Sequence, residues 1–165
     1  MQRLGRDEVQ RHVVAQPLQV YELVSDVTRT PTWSPQVIDC SWLDGATGPA
    51  VGARFVARNK LRWFVWSNRP VVEVADPGRE FTICRTEPGG GSIRWAYRLL
   101  PEAGGTRVAL SYEVLQTVPL GLHIVLRVLF GVRDLQADLH ANMVTSLDRI
   151  AELATAQRAT APDVP

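Results

Sequence analysis

Two tyrosines on neighbouring predicted strands are the residues best suited to chemistry. Tyr97 lies in SIRWAYRLL and Tyr112 in TRVALSYEVL, and in both segments the tyrosine belongs to an alternating apolar set. Because side chains of a strand alternate between two faces, both phenols are predicted to point to the apolar side of one sheet. A phenol in an apolar surrounding can hold a ligand carbonyl or act as a general acid. The alternative is a core tyrosine whose hydroxyl finds a backbone partner or water.

Three other residues of the predicted strands are candidates to line the same pocket. Trp66 and Trp95 offer flat surfaces suited to rings or sterols, and plain packing is the alternative for each. His12 could serve as a base if it faces the cavity. Its strand, EVQRHVV (8–14), alternates without showing which face is inside, so the orientation of His12 stays open.

The patterns of nucleophilic and metal-dependent enzymes are missing from the sequence. There is no Gly-x-Ser-x-Gly elbow, and Cys40 and Cys84 have neither CxxC nor metal-site spacing. The histidines form no HExxH pattern, and the glycine runs at 89–91 and 104–105 lie in predicted hairpins rather than between a strand and a helix. We therefore expect no metal and no nucleotide cofactor, and no residue is assigned as catalytic.

Length and charge limit the remaining classes of protein. A chain of 165 residues with 45% hydrophobic and 21% charged residues fits one folded domain. The formal net charge of +1 creates no global field that would steer the protein to nucleic acid. The start, MQRLGRDEVQR, lacks the apolar core of a secretory signal, and the two cysteines are far apart. A reduced, cytoplasmic location is the simplest interpretation.

A set of arginines is predicted on the outer face of the sheet, away from the aromatic residues. They are Arg54, Arg58, Arg94, Arg98 and Arg107. We interpret them as a solvated face compensated by acidic residues, and a surface for nucleic acid or anionic lipid is the alternative. Because the aromatic side chains lie on the other face, no stacking platform results and no nucleic-acid partner is expected.

The order of elements predicts an α+β domain. The first strand is followed by a helix over 17–27 that begins at a proline, and by a short helix or turn from Thr28 to Trp33. Trp33 would then lie at a pocket end or pack a hinge. Alternating segments separated by Gly- and Pro-rich turns are typical of an antiparallel meander. These predicted strands span 36–43, 53–59, 62–75, 80–86, 92–100 and 106–115.

Apolar residues recur at helical spacing over residues 119–156 and predict one long helix. Its broad apolar face includes Met143. Gln136 and Ser146 project toward the middle of this face and Asn142 toward its edge. Inward polar groups favour a cavity that is not fully dry, and hydrogen bonding within the helix is the alternative. A curved antiparallel sheet of about seven strands wrapped around this helix would leave a gap where it bends away, which is a natural ligand pocket.

The start of this helix carries a second apolar stripe. Leu126 and Phe130 lie off the main face, and Gly131 lowers the cost of bending there. We predict that these three residues form a gate that meets lipid, a partner protomer or a neighbouring loop, so that transient membrane contact and a homodimer are the partner alternatives. Simple burial inside the domain competes with this hypothesis. Residues 1–157 are predicted as one ligand-binding domain and 158–165 as a disordered tail.

Five segments spread over residues 9–153 together indicate a family. They are VVAQPLQVYELVSDVTRTPTW (13–33), VGARFVARN (51–59), RPVVEVADPGREFTI (69–83), GGTRVALSYEV (104–114) and NMVTSLDRIAEL (142–153). Their order and spacing resemble the START-like helix-grip superfamily, also called SRPBCC, and within it the polyketide cyclase/dehydrase and lipid-transport branch. Each segment is mostly packing and turn chemistry, so the resemblance rests on the joint match.

The resemblance implies a deep cavity between sheet and long helix that takes a hydrophobic small molecule or lipid. It does not imply one activity, because members include cyclases, lipid carriers and hormone receptors. The first hypothesis is a carrier or sensor for a lipid or polyketide-like compound. The second is an aromatase/cyclase-type enzyme that folds a poly-β-ketone chain while Tyr or His groups move protons. An interaction module with a vestigial pocket is a third.

Overall fold

The computed structural model describes residues 5–86, 91–117 and 135–160, and these contain eight strands and three helices. The strands are β1 (Arg6–Val13), β2 (Val37–Trp42), β3 (Phe55–Leu61), β4 (Phe64–Asn68), β5 (Val71–Asp76), β6 (Glu80–Thr86), β7 (Ser92–Glu102) and β8 (Gly105–Gln116). The helices are α1 (Pro17–Ser25), a 3₁₀ helix (Val27–Thr32) and α2 (Leu135–Thr160). The α+β order expected from the sequence is confirmed.

The strands form two antiparallel sheets that are joined at one place. One sheet has the order β1-β8-β7-β6-β5 and the other β2-β3-β4. Just before β3, Arg54 pairs with Val71, and the amide of Phe55 donates to the carbonyl of Pro70 at 3.2 Å. The expectation of one strand over 62–75 is wrong, because the segment is divided into β4 and β5.

The break falls at Pro70, which has no N–H to donate to a ladder. The register nevertheless continues across it. Ala57 lies opposite Asn68, and Arg54 lies opposite Val71. The two pairs are three residues apart on both strands, so no residue is inserted between them. The two sheets are therefore one surface with a bend, and this bend supplies the curvature that lets the sheet wrap around a helix.

The two short helices follow from local sequence. Pro17 occupies the first turn of α1, where its fixed φ suits a helix and its missing N–H costs nothing. The helix ends at Ser25, two residues before the predicted end, because the carboxylate of Asp26 accepts a hydrogen bond from the amide of Thr28 at 3.2 Å and begins the 3₁₀ helix. In the folded domain α1 packs against α2 and against β6, β7 and β8.

The long C-terminal helix covers the concave side of the sheet. Its buried residues recur at helical spacing and are Leu139, Met143, Ser146, Leu147, Ile150 and Ala154. Two contacts tie it to β1, an ion pair of Arg11 with Asp148 at 3.0 Å and a hydrogen-bond contact of His140 Nδ1 with the carboxylate of Asp7 at 2.8 Å.

The bounds of α2 affect the predictions of a disordered tail and of a gate. Its backbone continues to Thr160, so residues 158–160 of the predicted tail are helical. The predicted gate residues Leu126, Phe130 and Gly131 lie outside the described residues. Within the described residues, no helix is both long enough and apolar enough to span a bilayer.

The two faces of the sheet differ as the alternation predicted. Tyr97 and Tyr112 are buried on the helix side. The outer arginines are held by carboxylates. Arg94 contacts Glu73 at 2.6 Å and Glu113 at 3.3 Å, and Arg107 pairs with Glu102. For the arginines of the larger sheet, this is the compensated, solvated face expected from the sequence.

Candidate functional site

A cavity of about 100 Å³ lies between the bent sheet and α2. Its wall is formed by the two short helices, the segment 33–37, the inner sides of β2, β3, β6, β7 and β8, and the N-terminal half of α2. Pro70, where the two sheets meet, also forms part of the wall. The wall is largely apolar and aromatic.

One side of the cavity is an aromatic cluster built on β7. Tyr97 is only 7% exposed, and the ring of Trp33 meets it edge-on with centroids 5.7 Å apart. Trp95 also lines the cavity, and Tyr112 lies against it at 5.4 Å. Trp95 and Tyr97 are on the same side because they are two positions apart along one strand. Trp95 and Tyr97 therefore both form part of the cavity wall, and their contact with a ligand stays a prediction.

The helix side contributes Asn142, Met143 and Ser146, together with Leu139. The hydroxyl of Ser146 donates to the carbonyl of Asn142 at 2.8 Å, one helical turn back. Its polarity is therefore satisfied within the helix, and a ligand gains little from it. Asn142 and Met143 line the cavity as the helical spacing predicted.

Arg85 is the charged residue of the cavity, and the sequence interpretation missed it. Phe81, Ile83 and Arg85 alternate along β6 and all three line the cavity. The guanidinium carbon lies 5.4 Å from the centre of the Trp95 ring, a cation–π distance. Among the described lining residues Arg85 is the one with a charged side chain. The period-two pattern that placed Tyr97 inside could have placed Arg85 there as well.

Burial sets the protonation state of Tyr97. Desolvation raises the pKa of its hydroxyl above the ordinary value of 10.0, and the positive charge of Arg85 opposes that rise without cancelling it. At neutral pH Tyr97 therefore keeps its proton. It can donate a hydrogen bond to a ligand oxygen, but it is a poor source of a proton for transfer.

Several polar atoms around the cavity lack partners among the described residues. They are the indole nitrogens of Trp33 and Trp95 and Oδ1 of Asn59. Asn59 is fully buried on β3, and its amide nitrogen donates to the carbonyl of Ala57 at 3.2 Å. A buried polar atom without a partner costs about 1–3 kcal/mol. A ligand or water that reached these atoms would recover part of that cost.

Cys40 lines the cavity but is not a nucleophile at neutral pH. Desolvation, the largest cause, raises the pKa of its thiol to about 12, and a hydrogen bond with Thr30 opposes the rise. The thiolate is the reactive form of cysteine. In the described part of the chain, no three His, Cys, Asp or Glu side chains are grouped so that they could hold a metal ion.

His12 is not in the cavity. It lies on the outer face of β1, its side chain is 42% exposed, and Nδ1 contacts the carboxylate of Glu102 at 3.2 Å. The physical reason is the packing of α2, which covers Val9 and Val13 and so turns His12 outward. A role for His12 as a base inside the pocket is excluded by this placement.

The other predicted lining residues lie near the cavity but do not form its wall. Trp66 stacks on Phe64 with ring centres 5.5 Å apart, toward the tip of the β3–β4 hairpin. Tyr112 is 1% exposed behind Trp95, and its hydroxyl has no partner among the described residues. Gln136 is half-buried near the start of α2. Their contact with a ligand remains a prediction.

A bent antiparallel sheet that grips one long helix, with a cavity between them, defines the START-like helix-grip class of proteins. A family model described as polyketide cyclase / dehydrase and lipid transport matches residues 6–155. The chain therefore belongs to this family. Comparison with curated protein sequences gives no significant match.

Solved structures share the fold. The Polyketide_cyc-like protein of Corynebacterium glutamicum is 29% identical, with a TM-score of 0.56 and 97% of both chains covered. A START superfamily protein from Mycobacterium smegmatis is 13% identical, with a TM-score of 0.67 over 90% of this chain and 98% of that one. The di-domain ARO/CYC StfQ from the steffimycin biosynthetic pathway is 15% identical, with a TM-score of 0.75 over 94% of this chain and 52% of that one.

Proposed function

We propose that this protein binds a hydrophobic small molecule, a lipid or polyketide-like compound, in the cavity between sheet and α2, and acts as its carrier or sensor. The observation that carries the proposal is the composition of the wall. Apolar and aromatic side chains surround one charged group, Arg85, among the described lining residues. Such a wall is typical of small-molecule sites, where a few polar groups orient an otherwise apolar ligand.

The polar end of the ligand is assigned to Arg85 and Tyr97. Arg85 has contacts of its own, but a guanidinium has five N–H donors and can serve more than one acceptor. Tyr97 supplies a neutral hydroxyl in the same cavity. Both groups donate, so the fitting ligand end is an oxygen acceptor, best an anionic one such as a carboxylate or enolate.

An aromatase/cyclase-type enzyme is the second candidate. Arg85 and Tyr97 favour it because both are polar groups that line the same cavity. Such an enzyme needs at least two polar groups that converge on one substrate atom. The raised pKa of Tyr97 makes it a weak proton donor, and the placement of His12 removes the histidine base considered from the sequence. For these two reasons we prefer the carrier or sensor to the enzyme as the proposed function.

Ligand capture tests the proposal directly. Native mass spectrometry of the full chain should detect a co-purified small molecule. Parinaric acid, a fluorescent fatty acid, should bind, and its methyl ester should bind more weakly. In Arg85→Gln the affinity for the acid should fall about tenfold or more, as expected for the loss of a charge-assisted hydrogen bond, while the ester changes little.

Arg98→Gln is the matched control, because Arg98 lies on the outer face of β7 with its side chain 57% exposed. Equal loss in both variants, or no binding of either probe, would refute the cavity assignment. Turnover of a poly-β-ketone substrate that disappears in Tyr97→Phe, with ligand binding retained, would instead select the enzyme. The gate at Leu126, Phe130 and Gly131 and the cytoplasmic location remain predictions.

A further inference from the structure

We propose that the β3–β4 hairpin is a docking surface for a membrane that contains anionic lipid. The hairpin turns at Arg62 and Trp63, between the paired residues Leu61 and Phe64. Arg62 has a φ of 55°, in the left-handed region, which allows this tight reversal. The proposal does not depend on which ligand the cavity holds.

The tip of the hairpin exposes large apolar side chains in sequence. Trp63 is 69% exposed, Phe64 37% and Val65 39%. Trp63 and Phe64 also meet each other edge-on at 6.4 Å, and both make further contacts, yet this much of their surface still faces solvent. Tryptophan is enriched where proteins meet the membrane interface, because its ring has an apolar body and a polar N–H.

The positive charge of the hairpin favours an anionic partner. The segment 45–72 contains five of the eighteen basic residues of the chain and none of its seventeen acidic residues. All five basic residues are exposed, and they are Arg54, Arg58, Lys60, Arg62 and Arg69. The rest of the chain is therefore net acidic, although the whole protein is nearly neutral. An exposed apolar tip that adjoins Lys60 and Arg62, on a hairpin with further exposed cations, fits an anionic bilayer surface.

The hairpin differs in this respect from the arginine-rich outer face of the larger sheet. There, Arg94, Arg98 and Arg107 each pair with a carboxylate of a neighbouring strand. Between Gly45 and Val72 the sequence offers no carboxylate, and Arg54 reaches back to Asp44 at 2.7 Å. For the other four basic residues of the segment, a bilayer would provide negative charge in the form of lipid phosphates.

The hairpin is also well placed relative to the cavity. Phe55, Ala57 and Asn59 of β3 line the cavity, and the same strand continues to the tip at Arg62. Docking of the tip would bring this end of the sheet to the bilayer surface. An apolar molecule leaving the membrane would then have a short path to the protein.

Vesicle co-sedimentation of the full chain tests the proposal. The probes are vesicles of phosphatidylcholine alone and vesicles in which part of it is replaced by phosphatidylglycerol. We expect binding to the anionic vesicles, weakened by salt, and little binding to the neutral ones. Lys60→Gln with Arg62→Gln should lower the affinity about fivefold for each lost charge. Trp63→Ser should lower it about tenfold or more.

Two control variants keep the test specific. Arg98→Gln with Arg107→Gln removes two exposed charges from the outer face of the larger sheet, and Leu100→Ser replaces a leucine there that is 54% exposed. Both controls should bind anionic vesicles as the parent does, and circular dichroism should show that every variant is folded. The charge variant leaves the apolar tip intact, so it tests docking even if Trp63→Ser is less stable.

Four outcomes would overturn the proposal. The first is absence of binding to anionic vesicles, and the second is equal loss in hairpin and control variants. Binding of single-stranded nucleic acid without binding of vesicles would make the surface a nucleic-acid site. Concentration-dependent self-association that Trp63→Ser abolishes, again without vesicle binding, would make it an interface between two copies of the chain.

Discussion

Replacement of Ser146 by leucine tests the cavity most cleanly, because it fills the proposed binding space from the helix side. Ser146 is 6% exposed and lines the cavity, and its hydroxyl bonds only to the carbonyl of Asn142 in its own helix. The larger side chain would therefore occupy the space that a ligand needs without leaving a cavity-wall partner unpaired.

The expected change in stability is small, because opposing terms are similar in size. Leucine has three side-chain carbons beyond Cβ where serine has one oxygen, and burial contributes about 0.8 kcal/mol per methylene, or roughly 2 kcal/mol in all. Overpacking costs about 1–3 kcal/mol. We expect the free energy of unfolding of the ligand-free protein to change by no more than about 1 kcal/mol. Affinity for parinaric acid should fall at least about tenfold, which corresponds to about 1.4 kcal/mol.

Thr155→Leu is the matched control on the same helix. The hydroxyl of Thr155 bonds to the carbonyl of Ala151 at 2.8 Å, the same one-turn arrangement as that of Ser146, but the residue is exposed. The control therefore loses the same type of hydrogen bond without filling the cavity. Urea unfolding and fluorescence titration measure both effects. Unchanged affinity in Ser146→Leu, in a folded protein, would show that ligands bind elsewhere and would refute the cavity proposal.

Two further predictions concern the cavity thiol and the start of the long helix. Cys40 should react with iodoacetamide only on unfolding. In the folded protein the pKa of the Cys40 thiol is about 12, above the ordinary 9.0. The contribution of this thiol to the free energy of unfolding is therefore complete below pH 9 and is lost as the pH rises toward 12. Urea unfolding at several pH values across this range measures the loss. Leu126→Ser with Phe130→Ser should reduce ligand uptake from vesicles while stability is largely kept. A loss of about 2–5 kcal/mol per site in unfolding experiments would instead identify core residues and end the gate hypothesis.

The sequence by itself determined the class of fold and the inner face of the central strands. Alternation along β7 and β8 is strong because both strands are half-buried, so Tyr97 and Tyr112 were predicted on the helix side, where the structure has them. The apolar stripe of α2 likewise predicted that Met143 faces the sheet. Periodicity reports burial, and for these elements burial decides the structure.

Only the tertiary structure decided what the periodic pattern left ambiguous. In the predicted strand 8–14 valines occur on both faces, Val9 and Val13 on one and Val14 on the other, so pairing with β8 and coverage by α2 were needed to turn His12 outward. Pro70 marks the place of the break, but that β5 pairs with β6 while β4 pairs with β3 alone is visible only in the structure. Arg85 lies in the cavity because the neighbours of β6 hold its register, even though its charge would favour solvent. Local sequence sets which face a side chain prefers, whereas the packing of distant elements sets which part of that face surrounds the cavity.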